Sequence, residues 1–272
     1  MSWGDWARLG WDWEPSVVAG CALWLLACVG AARSQPWWRT LALFASDAVL
    51  LFALVSPLDT LADHYLFSAH MAQHLLLLEL VPPLLLLGFP PLWARRLLQW
   101  RWAASVELRL RRPWIAWTIG FGTLCVWHLP RLYDAAVRYE GIHIVEHLLF
   151  LVSATIFWWP VLGPLPDHRM PVWQAIFYLF SRMSANLILG ILVALAPVGF
   201  YTAYAHPSDA LGLLTMIRRQ WGLTPLLDQR LGGMLMWVPS LVIDGAAVPL
   251  LLALWGAAGE HSSTGARDQT AA

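Results

Sequence analysis

Seven stretches of this chain are candidate membrane-spanning helices, at roughly 16–33, 39–57, 66–88, 114–129, 142–162, 172–197 and 231–257, the fourth of them short. A helical run of about 20 apolar residues spans the hydrocarbon core, and a helix satisfies its own backbone polar groups where no water can. The pattern predicts an all-α, polytopic membrane bundle of seven transmembrane helices, forming one domain over 1–257. The small polar residues of 258–272 predict a flexible cytoplasmic tail. Composition agrees. Hydrophobic residues make up 59% of the 272 and charged residues 12%, against about 45–50% and about 25% in soluble domains. Seventeen basic residues balance seventeen acidic ones, so no basic excess exists to meet nucleic acid.

The basic residues, all arginine, set the orientation. Six of them, Arg95, Arg96, Arg101, Arg109, Arg111 and Arg112, lie in the 91–113 link. Trp93, Leu97, Leu98, Trp100 and Trp102 are interleaved with them, which predicts an amphipathic interfacial segment. Placing this link in the cytoplasm puts the N-terminus outside and the C-terminus inside, with ten arginines on the inner side and six on the outer. Before the first span, Asp5, Asp12 and Glu14 accompany Arg8. That is not the positive start of a signal peptide, so the first span is expected to be retained. Cys21, Cys28 and Cys125 each sit in an apolar run without C-x-x-C spacing, and are expected to be packing residues.

The histidines carry the chemistry. Because spans alternate in direction, the start of the third (His70, His74), the end of the fourth (His128) and the start of the fifth (His143, His147) meet on one membrane face. His64 and His206 lie in links on that same face, whereas His168 and His261 fall elsewhere. Both His70/His74 and His143/His147 have the spacing H-x-x-x-H. On a helix such residues share a face, with Cβ atoms about 5–6 Å apart, which lets two imidazoles bind one ion. Glu146, beside the second pair, suits either direct ligation or acceptance of a ligand ring N–H. Ionisable groups inside a membrane are costly and tend to be functional. The candidate metal ligands are therefore His70, His74, His128, His143, His147 and Glu146, with an interhelical hydrogen-bond network as the competing reading. Imidazole suits copper and zinc among others, and thioethers favour Cu(I). Met71, Met183, Met234 and Met236 lie in or near spans, although methionine also serves as core filler.

A second group of buried charges comprises Asp47, Glu79, Arg182 and Asp244. An arginine at such depth needs a partner, so Arg182 is expected to pair with Asp47, Glu79 or Asp244, and Asn186 lies one turn away. Pro82 and Pro83 predict a kink in the third span.

Four blocks of the chain resemble the CtaG family of cytochrome c oxidase assembly factors, the multi-span branch associated with caa-type oxidases. They are His70-Met-Ala-Gln-His-Leu-Leu-Leu continuing to Pro82-Pro83-Leu-Leu-Leu-Leu-Gly88-Phe-Pro90, Trp127-His-Leu-Pro-Arg-Leu-Tyr133-Asp134, His143-x-x-Glu146-His147-Leu-x-Phe150-Leu with Phe157-Trp-Trp-Pro160, and Asp228-Gln229-x-Leu-Gly232-Gly233-Met234-x-Met-Trp237. Together they cover about residues 60–240. The resemblance implies a multi-pass protein of the bacterial plasma membrane, needed to make active oxidase, with oxidase subunits as partners and the lipid bilayer around it. Relatives joined to copper-resistance-type membrane domains point to copper handling on the outer face. The metal role of the six named side chains comes from their spacing, not from the resemblance.

Three functions follow as expectations. The first is a non-enzymatic assembly factor that binds copper at the histidine cluster and helps metallate or mature an oxidase subunit. The second is a membrane zinc hydrolase using the same cluster, with Glu146 or Asp134 as base. The third is bis-His haem or quinone binding through His74 and His147. The first is the expected function, because matched pairs leave a histidine of each pair unused in the third.

Overall fold

Proline punctuates the fold. Six helices begin at a proline, which supplies a fixed φ and removes an N–H that would lack a partner anyway. In the computed structural model, which describes residues 10–32, 35–205, 207, 209, 211–249 and 252, these are α1 (Pro15–Ala32), α3 (Pro57–His64), α5 (Pro91–Leu97), α7 (Pro113–Trp127), α8 (Pro130–Arg138) and α12 (Pro225–Pro249). Between them lie α2 (Trp37–Val55), α4 (Phe67–Gly88), α6 (Arg101–Leu110), α9 (Glu140–Leu162), α10 (Val172–Leu195) and α11 (Thr202–Ala205). No strand occurs among the described residues. Tail residues 258–272, with His261, and link residue His206 lie outside them.

Five of these helices, α2, α4, α9, α10 and α12, are long and apolar enough to cross a membrane. The other two expected spans are shorter: α1 has 18 residues and α7 has 15. The seventh expected span starts earlier than its apolar run. Thr224 caps α12 by accepting from Leu227 N at 3.2 Å, and Pro225 occupies its first turn, so the helix takes in Asp228, Gln229 and Arg230. Large apolar side chains such as Leu26, Trp37, Phe52, Val152, Phe177 and Leu192 face outward, forming an apolar belt that suits lipid. The 91–113 link forms two short helices, α5 and α6, with Trp100 and Trp102 exposed.

Helix α4 sits at the centre, packed by α2, α3, α9 and α12, while α7 packs on α9 and α10, and α1 lies outside α2. Its Pro82–Pro83 pair leaves the Leu78 carbonyl without a helical donor at either the fourth or the fifth following residue. Trp158 of α9 supplies the missing bond, donating Nε1 to Leu78 O at 3.2 Å. Just before the prolines α4 widens into a π-turn at Leu76–Leu80, the kind of local irregularity that sets a side chain apart. Glu79 lies in that turn.

Arg182 of α10 meets Glu79 in a two-pronged pair, Nη1 to Oε1 at 2.7 Å and Nη2 to Oε2 at 2.6 Å, and also donates to Asp244 of α12. Its guanidinium lies over the rings of Phe157 and Trp158 of α9, at 4.6 and 5.0 Å. Four helices are thus tied at one buried cation. Asp47 does not join them: it lines a separate cavity of about 210 Å³ with Cys21, Trp24 and Ser46. Cys21 and Cys28 are buried, free thiols, as packing residues would be. Small residues bring α10 and α12 together, because a Cβ on Gly190 would stand 2.5 Å from Gly233 O.

Breaking a buried ion pair from one side leaves uncompensated charge and costs about 3–5 kcal/mol. Arg182→Ala is therefore expected to lower the unfolding free energy in mixed micelles by that amount. Arg109→Ala, on the exposed face of α6, is expected to stay within about 0.5 kcal/mol of wild type.

Candidate metal centre

The start of α4 is held from outside itself. Leu66, at the helix N-cap, offers no side-chain acceptor. Asp228 of α12 takes that role, accepting from Phe67 N at 2.9 Å, Ser68 N at 3.0 Å and Ser68 Oγ at 2.5 Å. A carboxylate at a helix N-terminus is favoured by the exposed N–H groups and the macrodipole. The capped helix then presents His70 and His74 on its first two turns, opposite His143 and His147 on the first two turns of α9.

The rings pack tightly. Centroid separations are 4.2 Å for His70–His74, 4.1 Å for His143–His147, 5.1 Å for His70–His143 and 5.6 Å for His74–His147. His70, His74 and His147 each offer a ring nitrogen within 4.8 Å of the others, and all three are buried. A second triad, Asp63, His70 and His143, shares His70. Glu146 is fully buried, with Oε2 3.8 Å from His70 Nε2 and Oε1 3.8 Å from His74 Nε2.

Proton bookkeeping fixes one tautomer. Tyr204 OH lies 2.5 Å from Ala62 O and 3.0 Å from His70 Nδ1. A carbonyl only accepts, so the tyrosine proton goes there, and His70 Nδ1 must donate to Tyr204. His70 Nε2 is left as a bare lone pair. That is the orientation a metal-binding histidine takes when its other nitrogen is held by an outer partner.

Buried polar atoms are nearly always hydrogen-bonded in folded proteins. Here a dense group is not: His70 Nε2, both nitrogens of His74, Nε2 of His143 and His147, both oxygens of Glu146 and Tyr133 OH have no hydrogen-bond partner. Imidazole nitrogens in this density form a donor set for a borderline or soft divalent or monovalent metal.

The sequence expectations divide accordingly. His70, His74, His143, His147 and Glu146 converge. His128 lies at the edge, its ring 6.3 Å from His74, with Nε2 facing Met71 Sδ at 3.4 Å instead of the other histidines. It occupies the C-terminal cap of α7, with Nδ1 turned back to Leu124 O at 2.8 Å. His64 is exposed, and His168 pairs with Glu107 at 2.8 Å in the inter-helix segment that precedes α10. Asp134, the other candidate base of a hydrolase, is committed elsewhere: it accepts from Thr202 Oγ1 at 2.6 Å and Ala203 N at 3.0 Å. Asp63 was not among the candidates, yet its Oδ1 stands 3.5 Å from His143 Nδ1. Burial, reinforced by the nearby carboxylates of Asp59 and Asp12, pushes its acid up to about 8. Tyr133 and Tyr204 were missed too. Only the resemblance block around Tyr133 held a signal for either, since contacts across helices leave no spacing in the chain.

A family model described as cytochrome c oxidase caa3 assembly factor matches residues 21–258. An uncharacterized protein of Mycobacterium leprae is 26% identical over 245 residues, covering 83% of this chain and 35% of the relative. Another, of Mycobacterium bovis, is 27% identical over 238 residues, covering 81% of this chain and 34% of the relative. The chain spans about a third of the length of these curated relatives. No solved structure matches it.

Removing the cap from α4 tests the positioning role of Asp228. Loss of such a cap costs about 1–2 kcal/mol, so Asp228→Ala is expected to lower the thermal unfolding midpoint in detergent, whereas Asp134→Ala lowers it less.

Proposed function

The chain belongs to the cytochrome c oxidase caa3 assembly factor family, and from that premise we propose that it receives copper at its buried histidine cluster and helps metallate or mature an oxidase subunit. The observation that carries the copper half is the convergence of His70, His74 and His147, with ring nitrogens within 4.8 Å of one another and no hydrogen bond to satisfy His70 Nε2, His74 or His147 Nε2. His143, Glu146 and Asp63 surround that set. Copper is cargo here, and the chain's own part is to hold neutral imidazoles oriented in a water-poor site. Tyr204 does this for His70 through its bond to Nδ1.

We further read the chain as crossing a bacterial plasma membrane seven times, with α1 and α7 as the two shorter crossings. Arg39 donates to Phe89 O at 3.3 Å, which puts it at the same end of the bundle as the arginine-rich α5–α6 segment. By the preference of arginine for the cytoplasmic side, that end is inside, and the histidines face out. Copper delivered from outside the cell would meet them first. The oxidase subunits being matured are the partners.

Complementation tests this reading. In a strain lacking this protein, oxidase activity is expected to be lost and to return with the wild-type gene. His70→Ala and His147→Ala, present at normal levels in the membrane, are expected to restore about a tenth of it or less, since loss of even a supporting group around a metal weakens it about 10–100-fold. Full oxidase activity in the deletion strain would refute the assembly role, and full rescue by both variants would refute the histidine site.

A further inference from the structure

The edge position of His128 has its own chemistry. Its Nδ1 lies 2.8 Å from Leu124 O. A carbonyl cannot donate, so the proton of the neutral ring sits on Nδ1, and Nε2 carries a lone pair. That lone pair faces Met71 Sδ at 3.4 Å. A thioether has no proton either. Ordinary sulfur–ring packing places the sulfur about 5 Å from the ring, often at its positively polarised edge. This contact instead sets two electron-pair donors against each other, and both residues are buried, Met71 at 2% exposure and His128 at 5%.

The separation fits a shared ion. With metal–nitrogen and metal–sulfur bonds of about 2.0 and 2.3 Å, a 3.4 Å gap closes a donor–metal–donor angle of about 104°. A cavity of about 30 Å³ adjoins the pair, lined by His74 and Met236 as well as by Met71 and His128. That is room for about two water-sized spheres. His74 therefore faces both places: it is one of the three converging imidazoles, and it lines the cavity that Met71 and His128 share. Met236 offers a second thioether from α12.

We propose that Met71 Sδ and His128 Nε2 form a second, softer metal subsite beside the histidine cluster, taking a monovalent ion of the copper class, with His74 between the two sites. Thioether and neutral imidazole together select Cu(I) over zinc and the harder divalent ions. The inference rests on the copper reading of the histidine cluster, and it adds a direction: an ion at the outer imidazoles has a soft station one ring further in. Of the methionines, Met71 and Met236 are thereby given a role that packing alone does not require.

Anaerobic titration of the purified full chain with Cu(I) against a chromogenic competing chelator, followed by X-ray absorption at the copper edge, tests this. Wild-type protein is expected to bind two ions per chain and to show a sulfur shell at about 2.3 Å. Met71→Leu, a volume-conserving change that cores tolerate well, is expected to bind one fewer and to lose that shell. His70→Ala is expected to lose the other ion and keep the sulfur shell. Growth on selenomethionine, which needs no variant to fold, is expected to turn the sulfur shell into a selenium shell. A nitrogen-only shell in wild type, with equal stoichiometry in Met71→Leu, would overturn the soft subsite and leave the histidine site standing. No copper bound to wild type at all would overturn both.

Discussion

A polar atom inside an apolar bundle has no water to turn to, so its position is a statement about its partner. Several buried polar side chains here find their partners within the protein. Arg182 is held by Glu79 and Asp244. Gln73 donates to Ala53 O and Asp59, and Gln229 donates to Val193 O and Ala196 O. Single unpaired atoms remain along the bundle, such as Asp47 Oδ1, Trp117 Nε1 and Asn186 Oδ1, but only at one end do several gather, where imidazoles and a carboxylate crowd together with their nitrogens and oxygens unspent. The same rule that explains the frame therefore singles out the site.

Frame and site meet on α4. Its N-terminus is capped by Asp228 of α12, its middle widens to deliver Glu79 to Arg182, and its proline pair is repaired by Trp158 of α9. Each contact comes from a different helix, and each fixes the rotation of α4 about its own axis. That rotation decides whether His70 and His74 face α9 or lipid. The buried ion network is worth little as net stability once desolvation is counted. Its consequence is geometric: it locks α4, α9, α10 and α12 in one register beneath the histidines.

Much of this was legible in the chain. The helical class and five apolar helices long enough to cross a membrane follow from the length of apolar runs, and the matched H-x-x-x-H spacings place their pairs on single faces without any tertiary knowledge. Alternation of spans then brings the pairs to one end. The polar residues before the seventh apolar run read as a link in the sequence, whereas Asp228 and Gln229 are helical and bonded. Alternation of the spans brings His128 to the same end as the pairs, but it does not tell that Nε2 faces Met71 Sδ instead of the other histidines. Asp63, Tyr133 and Tyr204 join the site across helices, and no spacing rule reaches across a bundle. A buried arginine calls for a carboxylate, and Arg182 meets two of the three, Glu79 and Asp244; the π-turn that carries Glu79 is not revealed by any apolar count.

Copper held by the converging imidazoles is the central claim. Elemental analysis of the full chain, purified from cells supplied with both copper and zinc, addresses that directly. Copper at one or more ions per chain, with at least one ion fewer in a His70→Ala/His74→Ala double variant that remains folded, is the predicted result. Metal-free protein, zinc in place of copper, or the same copper content in the double variant would contradict it.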